Sequence, residues 1–278
     1  MKKCCVPNPA IGIDCSFRVS GLRVCELTRN SRIRNSGTHF MSKKSYLPFQ
    51  EIYKRLFSQF GPQFWWPGES CFEIIVGAIL TQNTNWRNVE KAIVNLRREK
   101  LLVPAVLKDI SVEDLSRWIK PAGYFNVKAK RLKNFVDFLF REYDGKLQRM
   151  KKEAVEKLRR ELLSVNGIGP ETADSILLYA FDKPIFVVDA YTKRFMARHN
   201  WINPDEDYHA VQKKFMRGLA PDVSKFNEYH ALIVRLGKEF CKSQPLCEQC
   251  PLNDLNYSLE SWRRKNGKGA QRTRKRSP

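Results

Sequence analysis

Asp189 follows Ile185-Phe186-Val187-Val188, a run too short and too apolar to be anything but buried chain, and precedes a helical stretch over 190–199. An aspartate there is a good helix N-cap. It is also a carboxylate carried out of a hydrophobic run, a fixed distance downstream of a hairpin suited to gripping DNA. Upstream, Asn166-Gly167-Ile168-Gly169 stops a helical pattern, because two glycines take positive φ cheaply. The helix before it, over 154–163, puts Val155, Leu158 and Leu162 on one face. Pro170 suits the first turn of a new helix, and Glu171 and Asp174 favour the same end. Ala173, Ile176, Leu177 and Ala180 then form one buried stripe. The turn between these helices offers backbone N–H groups with little side chain in the way, a surface that grips phosphate without reading bases.

Two further stretches carry polar or aromatic groups where packing alone would not ask for them. Gly61-Pro62-Gln63-Phe64-Trp65-Trp66-Pro67-Gly68 sets three aromatics beside prolines in a turn. Such rings are costly to expose and awkward to bury on a helix. They serve either as a plug between helices or as a stacking wall for a flat, electron-poor ring. Leu80-Thr81-Gln82-Asn83-Thr84-Asn85-Trp86 interrupts two helical patterns, Phe72, Ile75, Val76, Ile79 before it and Val89, Ile93, Leu96 after it, with side chains that donate and accept hydrogen bonds.

G-I-G-x-E-T-A followed by V-V-D resembles the helix-hairpin-helix DNA glycosylases of the endonuclease III superfamily. The resemblance covers roughly residues 49–250. It assigns Asp189 as the catalytic aspartate, matches Pro184 to the proline before it, and places Asn166, Gly167, Ile168, Gly169 and Thr172 against DNA. L-T-Q-N-T is similar to the segment whose glutamine enters the stack vacated by the target base, which gives that role to Gln82. K-P-A-G-Y-F-N-x-K-A-K-R-L also matches, with Tyr124 and Phe125 expected in the core. Members that also cut the backbone carry a lysine just past the hairpin as an imine-forming nucleophile. Glu171 stands there, so the lyase step is expected to be missing.

W-W-P ahead of the first central helix looks most like the endonuclease III-like 3-methyladenine DNA glycosylases. The implied reaction is hydrolysis of the N-glycosidic bond of alkylated purines, with a base pocket of Trp65, Trp66, Pro67, Trp86 and Glu171. An N-alkylated purine is cationic and already a good leaving group, so stacking and cation–π attraction between Trp66 and Trp86 would select it. Two alternatives stand beside this: an endonuclease III-type glycosylase for oxidised pyrimidines, and a non-catalytic helix-hairpin-helix DNA-binding protein. The implied partner is double-stranded DNA containing damaged bases, bound by a monomer. Cys241, Cys247 and Cys250 resemble the family's iron–sulfur loop, but a fourth cysteine is replaced by Asn256. A vestigial loop of free thiols is expected, with no cofactor, no metal, and no histidine placed to complete a zinc site.

The 278 residues carry a formal net charge of +21, which points to a polyanion as partner. Residues 1–44 hold +7 and residues 263–278 hold +8, leaving +6 for the middle. Both tails are expected to be disordered, and basic tails raise non-specific DNA affinity. Met1 and Met41 are both candidate starts of the functional chain. Eight cysteines with no secretory signal and no membrane span argue for a reducing compartment. A cytoplasmic location is expected, at the nucleoid in a bacterium. Helical periodicity without strand alternation predicts an all-α fold of two helical lobes. One spans 72–182 and includes the hairpin; the other combines 45–71 with 183–262, carrying Asp189 and the cysteine loop.

Overall fold

The computed structural model describes residues 47–66 and 68–255. Pro67, Asn256, both basic tails and the cysteines at 4, 5, 15 and 25 lie outside them. The fold is all-α, with no strand among the described residues. No helix there is long and apolar enough to cross a membrane.

Helix α1 (Phe49–Phe60) buries Phe49, Ile52 and Leu56. Helix α2 (Cys71–Leu80) is apolar nearly all round and central to the core, capped by Ser70, whose Oγ accepts from Glu73 N–H. A helix hydrophobic on every face has to be surrounded by others. Helix α3 (Trp86–Arg98) is capped by Asn85 and buries Val89, Ala92, Ile93 and Leu96. The short helices α4 (Pro104–Asp109) and α5 (Val112–Trp118) lead to α6 (Phe125–Tyr143), which packs on α4, α5 and α2. Helix α7 (Leu147–Lys152) precedes α8 (Val155–Ser164) and α9 (Pro170–Ser175), the two arms of the hairpin.

Beyond Ser175 the chain continues as a π-helical turn, Ile176–Ala180, with every residue buried. This wider turn was not foreseen from the apolar stripe; such turns gather at functional sites. It packs on α2, α9 and α12. The extended run 185–188 is buried as expected. Helices α10 (Ala190–Arg198), α11 (Tyr208–Gly218) and α12 (Val223–Glu239) follow, each capped by an aspartate. Gly237 lets α10 approach α12 closely, since a Cβ there would meet the Tyr191 ring at 2.2 Å.

Two expectations are corrected here. Tyr124 is 71% exposed with φ +46, not core, because Gly123 at φ +69 turns the chain outward before α6 begins; Phe125 does pack against the core. Phe64 is 86% exposed, so only the two tryptophans of the aromatic turn are sheltered.

Candidate active site

Asp189 caps α10 and holds that position by Oδ1, which accepts from Thr192 N–H at 2.7 Å and Thr192 Oγ1 at 2.8 Å. Its other oxygen, Oδ2, lies 3.6 Å from His230 Nε2 on α12. That is too long for a hydrogen bond, so the interaction is electrostatic. His230 Nδ1 is bonded to the Tyr179 hydroxyl, from the π-helical turn, while its buried Nε2 has no hydrogen-bond partner and faces the carboxylate. Burial alone would push the Asp189 carboxyl up. His230 and the two Thr192 donors outweigh it and hold Asp189 below the usual carboxylate range. The chain thus keeps a buried, ionised carboxylate at this point.

Glu171 begins the first turn of α9. Its side chain still reaches solvent, but the surrounding protein and the Asp189 charge push its pKa up to about 7, against a smaller pull from His230. Tyr179 is pushed well above the ordinary phenol range by burial and by Asp189 and Glu171, and so remains a neutral donor. Two carboxyl groups, an imidazole and a phenol therefore form one cluster, open to water at Glu171. Tyr179 and His230 were missed from the sequence. Tyr179 lies within a stripe that reads as core, and His230 is a lone histidine on an apolar helix.

Trp66 closes one side of the cluster, its ring 4.9 Å from that of Tyr179 and lying over Gly77 of α2. Trp86 meets Trp66 edge-on, at 5.1 Å and 80°, and Trp65 touches both. The expectation that Trp66 and Trp86 face each other across a slot is corrected: they are packed together and leave no room between them for a base. Trp65 Nε1 is buried and closes no hydrogen bond, although it lies near enough to Tyr179 to draw that phenol's pKa slightly down. A recess of about 400 Å³ opens beside these rings, lined by Trp66, Trp86, Glu73, Glu90 and Arg97. Neither Asp189 nor Glu171 lines it, so this recess is separate from the carboxylate cluster.

The hairpin turn is built differently from expectation at three residues. Gly167 has φ +94, but Gly169 is extended at φ −90. A Cβ on Gly169 would meet nothing within 4 Å, so the folded chain makes no demand for glycine there, whereas close approach of a ligand would. Ile168 is buried and its N–H is spent on Val165 O. Thr172 is buried, with Oγ1 accepting from Gln82 Nε2 at 2.9 Å. Of the turn residues, Asn166 and Gly169 are exposed and Gly167 is half-exposed.

The turn is tied to Asp189 through Asp174, whose carboxylate is fully buried. Arg159 on α8 bonds it in a fork at 2.6 and 2.9 Å. Tyr208 and Gln212 of α11 donate to Asp174 Oδ2 at 2.8 and 2.7 Å. The Gln212 amide also donates to Phe186 O, in the run that delivers Asp189.

The iron–sulfur cluster implied by resemblance does not fit these residues. Arg194 and Arg198 of α10 hold the loop by its carbonyls at 241, 242 and 243, and Arg198 also donates to Cys241 Sγ. Burial pushes the Cys250 thiol up to about 11. Among the described residues no group of three His, Cys, Asp or Glu could hold a metal ion.

A family model described as HhH-GPD superfamily base excision DNA repair protein matches residues 76–221. A provisionally named DNA repair glycosylase of Methanocaldococcus jannaschii is 46% identical over 220 residues, 78% of this chain and 100% of that protein. Endonuclease III of Thermotoga maritima is 31% identical over 207 residues, 73% of this chain and 88% of that one. Among solved structures, H. pylori 3-methyladenine DNA glycosylase bound to 1,N6-ethenoadenine has a TM-score of 0.61 at 28% identity, covering 69% of this chain and 97% of that one.

Proposed function

The chain belongs to the HhH-GPD superfamily of base excision DNA repair proteins, and from that membership we propose that this DNA glycosylase releases N-alkylated purines such as 3-methyladenine by hydrolysis, without cutting the backbone. The observation that carries the reading is the pairing of Asp189 with Glu171. The position where an imine-forming lysine would stand holds a carboxyl group instead, in the same cluster as the ionised aspartate. Two acidic groups beside Trp66 and Tyr179 suit a flat cation far better than a neutral base. The likeness to a 3-methyladenine glycosylase holding a modified adenine supports the same substrate class.

In this reading the hairpin grips the backbone, Gln82 fills the gap left by the flipped nucleotide, and the base lies against the exposed side of the tryptophan group rather than between its members. Asp189 then opposes the positive charge that grows on the sugar as the glycosidic bond breaks. His230, held by Tyr179, keeps the free carboxylate oxygen facing one way. The alkylated base leaves as a neutral molecule, so little acid help is needed. The two lobes would be α2–α9 with its hairpin and α1 with α10–α12, closing on double-stranded DNA as a monomer.

The Thermotoga relative favours the second reading, an endonuclease III-type activity on oxidised pyrimidines. Family membership and the ionised Asp189 favour an enzyme over a non-catalytic hairpin protein. The deciding experiment offers methylated DNA and DNA with oxidised pyrimidines, and identifies the free bases. Release of 3-methyladenine with intact abasic sites is expected. Release of oxidised pyrimidines alone would overturn the substrate assignment.

A further inference from the structure

Gln82 does not point away from the protein. Its Nε2 donates to Gly167 O and to Thr172 Oγ1, each at 2.9 Å, and its Oε1 accepts from Arg131 NH1 at 2.5 Å. The amide is folded onto the hairpin, with both donors and its acceptor in use. A side chain held in this way cannot also fill a gap in a DNA stack, so something must release it.

Arg131 is the member of this latch that DNA can take. Of the basic residues in the first half of α6, two are spent inside the protein. The buried Lys128 ammonium donates to Leu80 O and Ala122 O, and Lys133 donates to the carbonyls of Leu107, Lys108 and Ile110. Arg131 is instead half-exposed beside the phosphate-gripping turn. Its stem passes under Gly167, where a Cβ would meet Arg131 Cγ at 2.3 Å. Gly167 is thus glycine for two reasons, its φ of +94 and the room it leaves for this stem. The same turn opens at Gly169 to solvent. A guanidinium binds a phosphate through two parallel charge-assisted bonds and a neutral amide oxygen through one weaker bond.

We propose that Arg131 is a DNA-phosphate ligand whose capture by the backbone unlatches Gln82. Grip at the hairpin and occupation of the vacated base position then become one event, because the same guanidinium cannot serve both partners fully. Without its charged partner, the Gln82 amide is held only by the two bonds from Nε2 to the hairpin, which it can exchange for partners at the vacated position. The inference rests on the gap-filling role given to Gln82 above, but not on which base is removed.

The test uses the full chain and a duplex with a stable abasic-site analogue, so that no base release is involved. Arg131→Met keeps the stem and removes the guanidinium; Arg131→Lys keeps the charge. Affinity is measured against salt. For Arg131→Met the slope of log K on log salt should be shallower by about 1, the share of a single neutralised phosphate, and Arg131→Lys should recover it. The wild-type advantage over Arg131→Met should accordingly shrink roughly fourfold between about 0.05 and 0.2 M salt. A double-mutant cycle with Gln82→Ala then reads the latch itself. Coupling between the two positions should stabilise the protein alone, read in its melting temperature, and, because binding breaks that contact, appear again in DNA affinity with the opposite sign. An unchanged salt slope in a folded Arg131→Met variant, or additive effects of the two substitutions on DNA affinity, would overturn the proposal. Fluorescence of 2-aminopurine opposite the abasic site separates the premise: no response to Gln82→Ala would remove the gap-filling role without touching the phosphate ligand.

Discussion

Asp189 Oδ2 faces His230 Nε2 at 3.6 Å, while Oδ1 takes both donors of Thr192. One carboxylate oxygen is therefore anchored to its own helix and the other is left for electrostatic work. This division of labour lets structure and chemistry be separated by substitution.

Asp189→Asn should leave the fold and DNA affinity close to wild type, because an amide oxygen still caps α10; the change in stability should stay within about 1 kcal/mol. Base release should fall by about 10²-fold or more once the negative charge is gone. Single-turnover release and affinity for an abasic-analogue duplex check both halves. A normal rate in the variant would take Asp189 out of the mechanism.

Tyr179→Phe removes the hydroxyl that fixes His230 Nδ1. The ring is then free to turn its other nitrogen toward Asp189. Loss of one such bond is worth about 1 kcal/mol, so release should slow roughly fivefold to tenfold with DNA affinity unchanged. A proportional loss of affinity would show that the phenol acts on binding rather than on the carboxylate.

Glu171 gives a pH signature in stability. Its folded pKa is raised to about 7 from an ordinary value of 4.5, so the native state binds more protons than the unfolded chain between those values. Its contribution is fully present below about pH 4.5 and is lost as pH rises through about 7. Glu171→Gln cannot ionise. The melting temperature of the variant relative to wild type should therefore climb from pH 4.5 to about 7 and level off above. A flat difference across that window would mean that solvent screens Glu171 fully.

With a carboxyl group at the lysine position, borohydride should trap no covalent adduct between the protein and abasic DNA. The purified protein should also lack the broad visible absorbance of an iron–sulfur cluster, given the arginine-held loop. A trapped adduct would assign the lyase step to another lysine. Mass spectrometry of the adduct would name it.

The helices around the hairpin and Asp189 were legible in the sequence because their signals are local: an apolar stripe, a glycine turn, a proline at a helix start, an aspartate cap. What was not legible depends on packing between distant stretches. His230 lies far along the chain from Asp189, and nothing near either residue announces the other. Tyr179 was hidden by its place in an apolar run that turned out to be π-helical. Trp66 and Trp86 do touch, but their edge-on packing follows from how the turn after α1 lies on Gly77. Thr172 was assigned to DNA by its neighbourhood, whereas its hydroxyl is turned inward to Gln82.

The Asp174 network works as a fixed ruler. One carboxylate joins both arms of the hairpin, through Arg159 on α8 and its own place on α9, to the run that ends at Asp189. The separation between the hairpin turn and Asp189 is thereby set on a frame that includes none of the tryptophans. Trp65 and Trp66 hang from a separate turn between α1 and α2, and Trp86 opens α3. Substitutions among these rings can therefore reshape the aromatic wall while leaving the gauge between turn and carboxylate untouched.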